Sequence, residues 1–400
     1  GRALDLAPGD PGVLDRLCEV YERAERFKDL MVLLRETANR ESDAARRAEL
    51  YRRIARTLSD SVGNEDGAAE AWREVLIAGE DEEALRFLRR HATRKDDAET
   101  LCDVLERLCR IVGDEIERRD MFWERGLLLS DRLERPAEAI AALRKVVAIQ
   151  GDHVAALQRL AALCEETRDI AGLADALWRQ LAVVEDPGLR VPVARRLADL
   201  HEREAPQVDK AVDALYAWSD ADLTDPVPFE RLVPLLESAS RWADLTGALD
   251  ALASLQADPE EASKLTRRAA IVAYRQLGDI DGAWGRREPR IREDEDLGAE
   301  EDLRELARGA SAGERLAEMF VSIASSSSHP DQQSRRWMDA AGVYEAYLSD
   351  RSRALEAVLR AFAVDLGNML VLDEADRLAR EAGLWARLGQ VYETLIRKAD

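Results

Sequence analysis

The sequence predicts an all-α protein, a right-handed α-solenoid of stacked helix pairs, about eleven pairs in 72-residue double units. Three observations carry this. Apolar residues recur near the helical period of 3.6 throughout, and no run shows the alternation of a half-buried strand. The same four-helix layout returns about every 72 residues along the 400-residue chain. The composition, 34% charged and 46% hydrophobic, suits amphipathic helices.

Residues 118–186 display the unit most clearly. Ile140, Leu143, Val146 and Val147 form one apolar stripe, and Leu173, Leu177, Leu181 and Val184 form another. Four registers then repeat. A small residue in each unit's first helix falls at Ala55, Gly126, Ala198, Ala270 and Gly342, spaced 71, 72, 72 and 72. A small residue opening the second helix falls at Ala68, Ala139, Ala211, Ala283 and Ala354. Third-helix leucines fall at Leu17, Leu88, Leu160, Leu232, Leu306 and Leu378, and fourth-helix leucines at Leu30, Leu101, Leu173, Leu245, Leu316 and Leu388. A small residue facing a small residue lets two helix axes approach closely, with large neighbours interdigitating around the contact. A pair alone leaves an apolar face bare, so pairs must stack.

The small-residue pairs, Ala55 with Ala68 and Gly126 with Ala139, together with Tyr51, Ile54 and Leu58, resemble the tetratricopeptide (TPR) family. The resemblance covers essentially the whole chain, with degenerate second pairs that carry leucine where the family has alanine. It implies a TPR-like solenoid and a protein or peptide partner held on the first helices of the pairs. The family's carboxylate clamp needs paired asparagine and lysine, and asparagine occurs only at Asn39, Asn64 and Asn368.

In chain order, a half unit occupies residues 1–40, with its helices over 11–40. Full units follow at 46–114, 118–186, 189–258, 262–328 and 333–400, one continuous solenoid over 1–400. The opening GRALDLAPGD reads as the tail of a second helix and the end stops inside a fourth, which marks a fragment of a longer protein. Asp10, Asp81, Asp152 and Asp225 suit N-caps of third helices. The fourth unit departs most. Pro289 falls inside its second helix, which predicts a kink and a long loop through the mixed-charge run GRREPRIREDEDLGAEED. The spacing of 74 from Leu232 to Leu306 agrees, and Pro289 is the candidate hinge.

Net charge is −22, so nucleic acid is a poor partner. Alanine, glycine, aspartate and arginine richness, with six lysines, suits a GC-rich bacterial genome. Cys18, Cys102, Cys109 and Cys164 lie at apolar helical positions with no CxxC spacing, which excludes a zinc site or disulfide framework and fits a reducing cytoplasm. No apolar run is long enough to insert in a membrane.

The chemistry search finds no phosphate loop, nucleophile elbow or HExxH motif. Histidines occur only at positions 91, 153, 201 and 329, without a second ligand at helical spacing. The eight tryptophans read as core wedges. No enzyme and no cofactor are expected. Recognition is left, and residues flanking the small anchors on first helices are the candidates: Arg52, Arg56, Trp123, Leu127, Arg195, Arg267 and Tyr274. Arginine and aromatic side chains at such places suit the grip of a peptide. The chain is thus read as a non-catalytic scaffold in a bacterial multi-protein assembly. The alternative is a regulatory or substrate-binding arm of a larger enzyme or kinase whose catalytic domain lies outside this chain.

Overall fold

The computed structural model describes residues 11–293 and 297–399, and these form twenty-two α-helices with no strand among them. By their contacts they divide into two compact bodies, Gly1–Gln207 and Val208–Asp400. The first body holds α1 (Pro11–Arg23), α2 (Phe27–Arg40), α3 (Ala44–Arg56), α4 (Glu65–Ala78), α5 (Glu82–Lys95), α6 (Ala98–Ile111), α7 (Glu115–Asp131), α8 (Pro136–Ile149), α9 (Val154–Glu166), α10 (Ile170–Val183) and α11 (Pro187–Asp199). The second holds α12 (Val208–Ala221), α13 (Val227–Ser238), α14 (Trp242–Leu255), α15 (Pro259–Leu277), α16 (Ile280–Glu293), α17 (Leu297–Gly309), α18 (Gly313–Ser326), α19 (Pro330–Ala346), α20 (Arg351–Val364), α21 (Met369–Ala382) and α22 (Trp385–Ala399). Within each body every helix packs on the next in the chain. Each body is an all-α, TPR-like solenoid of consecutive helix pairs.

Local chemistry sets the helix boundaries. Asp43, Asp114, Asp186 and Asp258 cap first helices, each accepting a hydrogen bond from a backbone N–H two residues on, which satisfies one of the orphan donors. Among the expected third-helix caps, Asp81 accepts from Ala84 at 2.9 Å, whereas Asp225 lies one residue before the N-cap Pro226 and accepts from the Val227 N–H at 3.0 Å. Asp152 does not cap. Its neighbour His153 does, Nδ1 accepting from the Ala156 N–H at 3.1 Å, because an imidazole one position later reaches the same donor. Asp10 lies outside the described residues.

The turns inside the second pairs repeat with equal regularity. Glu25, Asp96, Arg168, Ser240, Ser311 and Gly383 all adopt positive φ, between 51° and 70°. The N–H after each donates to the carbonyl five residues back, Tyr21, Ala92, Cys164, Leu236, Ala307 and Ala379 in turn, at 2.8–3.0 Å. This is the Schellman closure of a helix C-terminus.

These turns re-register two expected anchors. In the first helices Gly63, Glu134, Gly278 and Ser349 take positive φ, eight residues after Ala55, Gly126, Ala270 and Ala341. The fifth small anchor is therefore Ala341, which is buried, whereas Gly342 is exposed with open space at its Cβ position. In the third helices the residue eight before the turn is Leu88, Leu160, Leu232, Leu303 and Ala375, not Leu306 and Leu378. All of these are buried, but the interval from Leu232 to Leu303 is 71, so the apparent stretch of 74 disappears.

The core follows the registers. Ala55, Ala68, Ala139, Ala198, Ala211, Ala283 and Ala354 have no exposed surface. A Cβ on Gly126 would meet Leu143 Cδ2 at 2.9 Å, so α7 and α8 touch backbone to side chain there, with Leu143 rather than Ala139 as the neighbour. All four cysteines are buried and free. Trp72, Trp218, Trp284 and Trp337 are core wedges, but Trp385, expected as another, is 50% exposed at the start of α22.

Pro289 does not end its helix. α16 runs from Ile280 through Pro289 to Glu293, and α17 begins at Leu297. Helix thus occupies most of the stretch expected as a long loop, because Arg287 and Ile291, two residues before and after the exposed Pro289, are buried on the opposite side of the helix. Asp294, Glu295 and Asp296 of the acidic run lie outside the described residues.

Candidate partner-binding surface

All seven residues singled out from the sequence lie on first helices: Arg52 and Arg56 on α3, Trp123 and Leu127 on α7, Arg195 on α11, Arg267 and Tyr274 on α15. Their side chains divide into three kinds. The first is engaged in ion pairs between a first helix and the neighbouring third helix. Arg52 bonds Asp81 at 2.6 Å and also pairs with Glu49. Arg56 bonds Glu83 through two nitrogens at 2.5 and 2.8 Å. Burial pushes the Asp81 carboxyl up, but the Ala84 N–H and the Arg52 guanidinium outweigh it and hold it below the usual aspartate value.

These pairs belong to a ladder. In the first body Arg86 reaches Glu117, Arg89 reaches Glu124 and Arg196 reaches Glu165. In the second, Arg268 reaches Glu237, Arg304 reaches Asp339 and Arg377 reaches Glu345. Half-exposed pairs of this kind contribute about 0–1 kcal/mol each. Their geometry sets how a first helix sits on the neighbouring third helix.

The second kind is packing. Trp123 is half-buried with its ring 5.1 Å from that of His153, and Leu127 is half-buried one turn on. Arg195 is exposed on α11.

The third kind converges. Arg267 and Tyr274 line a pocket of about 160 Å³ between α15 and α17, together with Ile271, Arg275, Leu303 and Leu306. Asp302 sits at its edge, held by Arg267 at 2.8 Å and by the buried Arg287 at 3.0 Å. Ile271 is 41% exposed at the mouth. Apolar walls with a few fixed charges are what peptide and ligand sites share. Among the described residues no cluster of histidine, cysteine or carboxylate fit for a metal occurs, and no helix is long and apolar enough to cross a membrane.

Sequence reasoning missed Arg287 and a buried charge cluster nearby. Arg336 bonds Glu300 at 2.5 Å and Asp339 at 3.1 Å, and Arg304 bonds Glu300 at 2.8 Å and Asp339 at 3.0 Å. The Phe320 ring lies 5.1 Å from the Arg304 guanidinium and 5.6 Å from that of Arg336. Burial pushes Glu300 up, but hydrogen bonds from Arg336 and Arg304 outweigh it and leave it below the usual glutamate value. Asp339 is pushed up, by burial first and then by the Glu300 charge. A signal existed. Arg287 stands where other units have Trp72, Leu143, Leu215 and Val358. Arg336 stands where they have Leu50, Met121, Val193 and Leu265, and Glu300 where they have Leu85, Leu157 and Leu372. A charge in an apolar register predicts a buried partner.

No family model matches the chain, and no curated protein sequence matches it. Among solved structures it is similar to a chain of Naa15/Naa10 bound to HypK-THB, at 15% identity and a TM-score of 0.34 over 98% of this chain. The chain spans 59% of the length of that one. It is also similar to YrrB, a TPR protein with an unusual peptide-binding site, at 17% identity and a TM-score of 0.27, covering 46% of this chain and 91% of that one. MamA matches at 14% identity and a TM-score of 0.26, covering 49% and 94%.

Proposed function

We propose that this chain is a non-catalytic interaction scaffold that holds a protein or peptide partner against the first-helix face of its pairs. One observation carries the reading. The pocket between α15 and α17 gathers exposed apolar surface at Ile271, an aromatic wall at Tyr274 and rim arginines. Apolar walls with a few convergent polar groups are the usual make-up of a recognition site. The composition suits a cytoplasmic component of a bacterial multi-protein assembly.

Cross-linking mass spectrometry of the chain in an extract of its native host tests the reading. Linked peptides are expected on α15 and α17 and are expected to vanish with Ile271→Glu. Links confined to other helices, or none at all, overturn it.

A further inference from the structure

The pocket between α15 and α17, at about 160 Å³, is smaller than the roughly 300–1,000 Å³ of sites that enclose a whole small molecule. It has room for one side chain. Ala270, Ile271 and Tyr274 of α15 face Leu303 and Leu306 of α17 across it, so whatever enters meets carbon on both sides. Tyr274 is seated by its opposite helix. Its hydroxyl lies so close to Gly309 that a Cβ there would clash with it, so glycine at 309 makes room for the ring.

The charges sit at the rim. The Arg267 and Arg275 side chains are 52% and 63% exposed, while the Asp302 carboxylate is turned inward between Arg267 and Arg287. Glu305 lies 3.6 Å from Arg275. Two cations therefore flank the opening in a chain whose net charge is −22. A guanidinium carries five N–H donors, so one pairing within the chain leaves others for a second carboxylate. Eight residues along a helix separate the two arginines by roughly 12 Å, which an extended segment covers in about four residues at ~3.3 Å each.

We propose that this pocket is an anchor socket for one large apolar side chain, of leucine or phenylalanine size, on an extended acidic segment of a protein partner. Carboxylates two residues before and two residues after the anchor meet Arg267 and Arg275. The assignment rests on the scaffold reading above and adds to it the chemistry of the partner.

Three fluorescein-labelled peptides titrated into the full chain by fluorescence polarisation test it: Glu-Ser-Leu-Ser-Glu, Glu-Ser-Ala-Ser-Glu and Lys-Ser-Leu-Ser-Lys, each extended by Gly-Ser. The first is expected to bind tightest. Truncating its leucine should weaken binding roughly tenfold or more, as loss of a buried leucine does. The lysine version should bind more weakly still, and the first peptide's affinity should fall with added salt. Ile271→Glu, at an exposed position that leaves the fold intact, should abolish binding. Arg275→Glu should narrow the gap between the acidic and basic peptides.

Equal binding of the alanine peptide, tighter binding of the lysine peptide, or full binding by Ile271→Glu overturns the proposal. If all peptides fail while a partner in the host extract still cross-links to α15 and α17, the acidic anchor is wrong and the scaffold reading stands. If no partner links there either, the scaffold reading fails with it.

Discussion

Gly126 and Glu300 mark two ways in which single residues set this fold. Gly126 lets α7 approach Leu143 so closely that even a methyl group would stand 2.9 Å from Leu143 Cδ2. Gly126→Leu should therefore destabilise by about 1–3 kcal/mol or more, read as a fall in the urea midpoint. The same change at exposed Gly342, which has open space around it, should shift the midpoint far less. Equal shifts would show that the anchor is misplaced. Glu300 and Arg336 are charges in apolar registers that neutralise each other at 2.5 Å. Removing one partner leaves the other buried, which typically costs about 3–5 kcal/mol, whereas replacing both by packed apolar groups is often neutral or stabilising. Glu300→Leu and Arg336→Met should each lower stability, and the double variant should recover most of the loss. A double-mutant cycle measures this. Additive losses would mean that the pair is not a unit.

Two helical features can be changed without touching the core. The turn after each third helix needs positive φ, which an L side chain adopts at a cost of about 1–2 kcal/mol. Exposed Arg168 adopts φ 57° there, whereas the equivalent position in the last unit is Gly383 at φ 70°. After glycine's greater chain entropy is subtracted, Arg168→Gly should stabilise by roughly 0.5–1 kcal/mol, and Gly383→Ala should destabilise; thermal unfolding of the two variants checks both signs. The second feature is Pro289. It removes the N–H that would close on the Gly285 carbonyl, yet α16 continues past it. Pro289→Ala restores that bond at an exposed site and should stabilise α16, by up to ~3 kcal/mol. Slower amide exchange across 287–293 in the variant would show it. Unchanged exchange would mean that α16 has already absorbed the loss, and the candidate hinge would then lack its physical basis.

At the scale of the whole chain, stability in a helical array is close to a sum of neighbouring contacts. Each of the two bodies carries hydrophobic core of its own. One cluster runs from Cys18 to Met121 and another from Ala270 to Leu388, each within a single body. Residues 208–400 expressed alone should therefore keep their helicity and unfold cooperatively by circular dichroism. A random-coil spectrum would refute this.

Much of this was legible because a repeat states the same physical requirement several times. The periods of 71 and 72, the alanines opening α4, α8, α12, α16 and α20, and the absence of strands follow from apolar spacing and residue size alone. Local chemistry places the Asp81 cap, since a short side-chain acceptor must sit next to the orphan N–H groups. What the sequence did not decide was which of two adjacent candidates occupies a register: Ala341 or Gly342, Leu303 or Leu306, His153 or Asp152. Those choices depend on where each turn closes, and only the positive-φ residues that end the helices mark it. Nor did spacing distinguish arginines paired within the ladder, such as Arg52 and Arg56, from those paired at a pocket rim, such as Arg267 with Asp302 and Arg275 with Glu305. The partners lie on other helices, brought near by stacking, so an ion pair is a property of the assembled layers. The apolar registers of Arg287, Glu300 and Arg336 hint at burial, but the tertiary structure alone decided which carboxylates and arginines meet them, because a charge is taken out of water only where packing supplies its counter-charge.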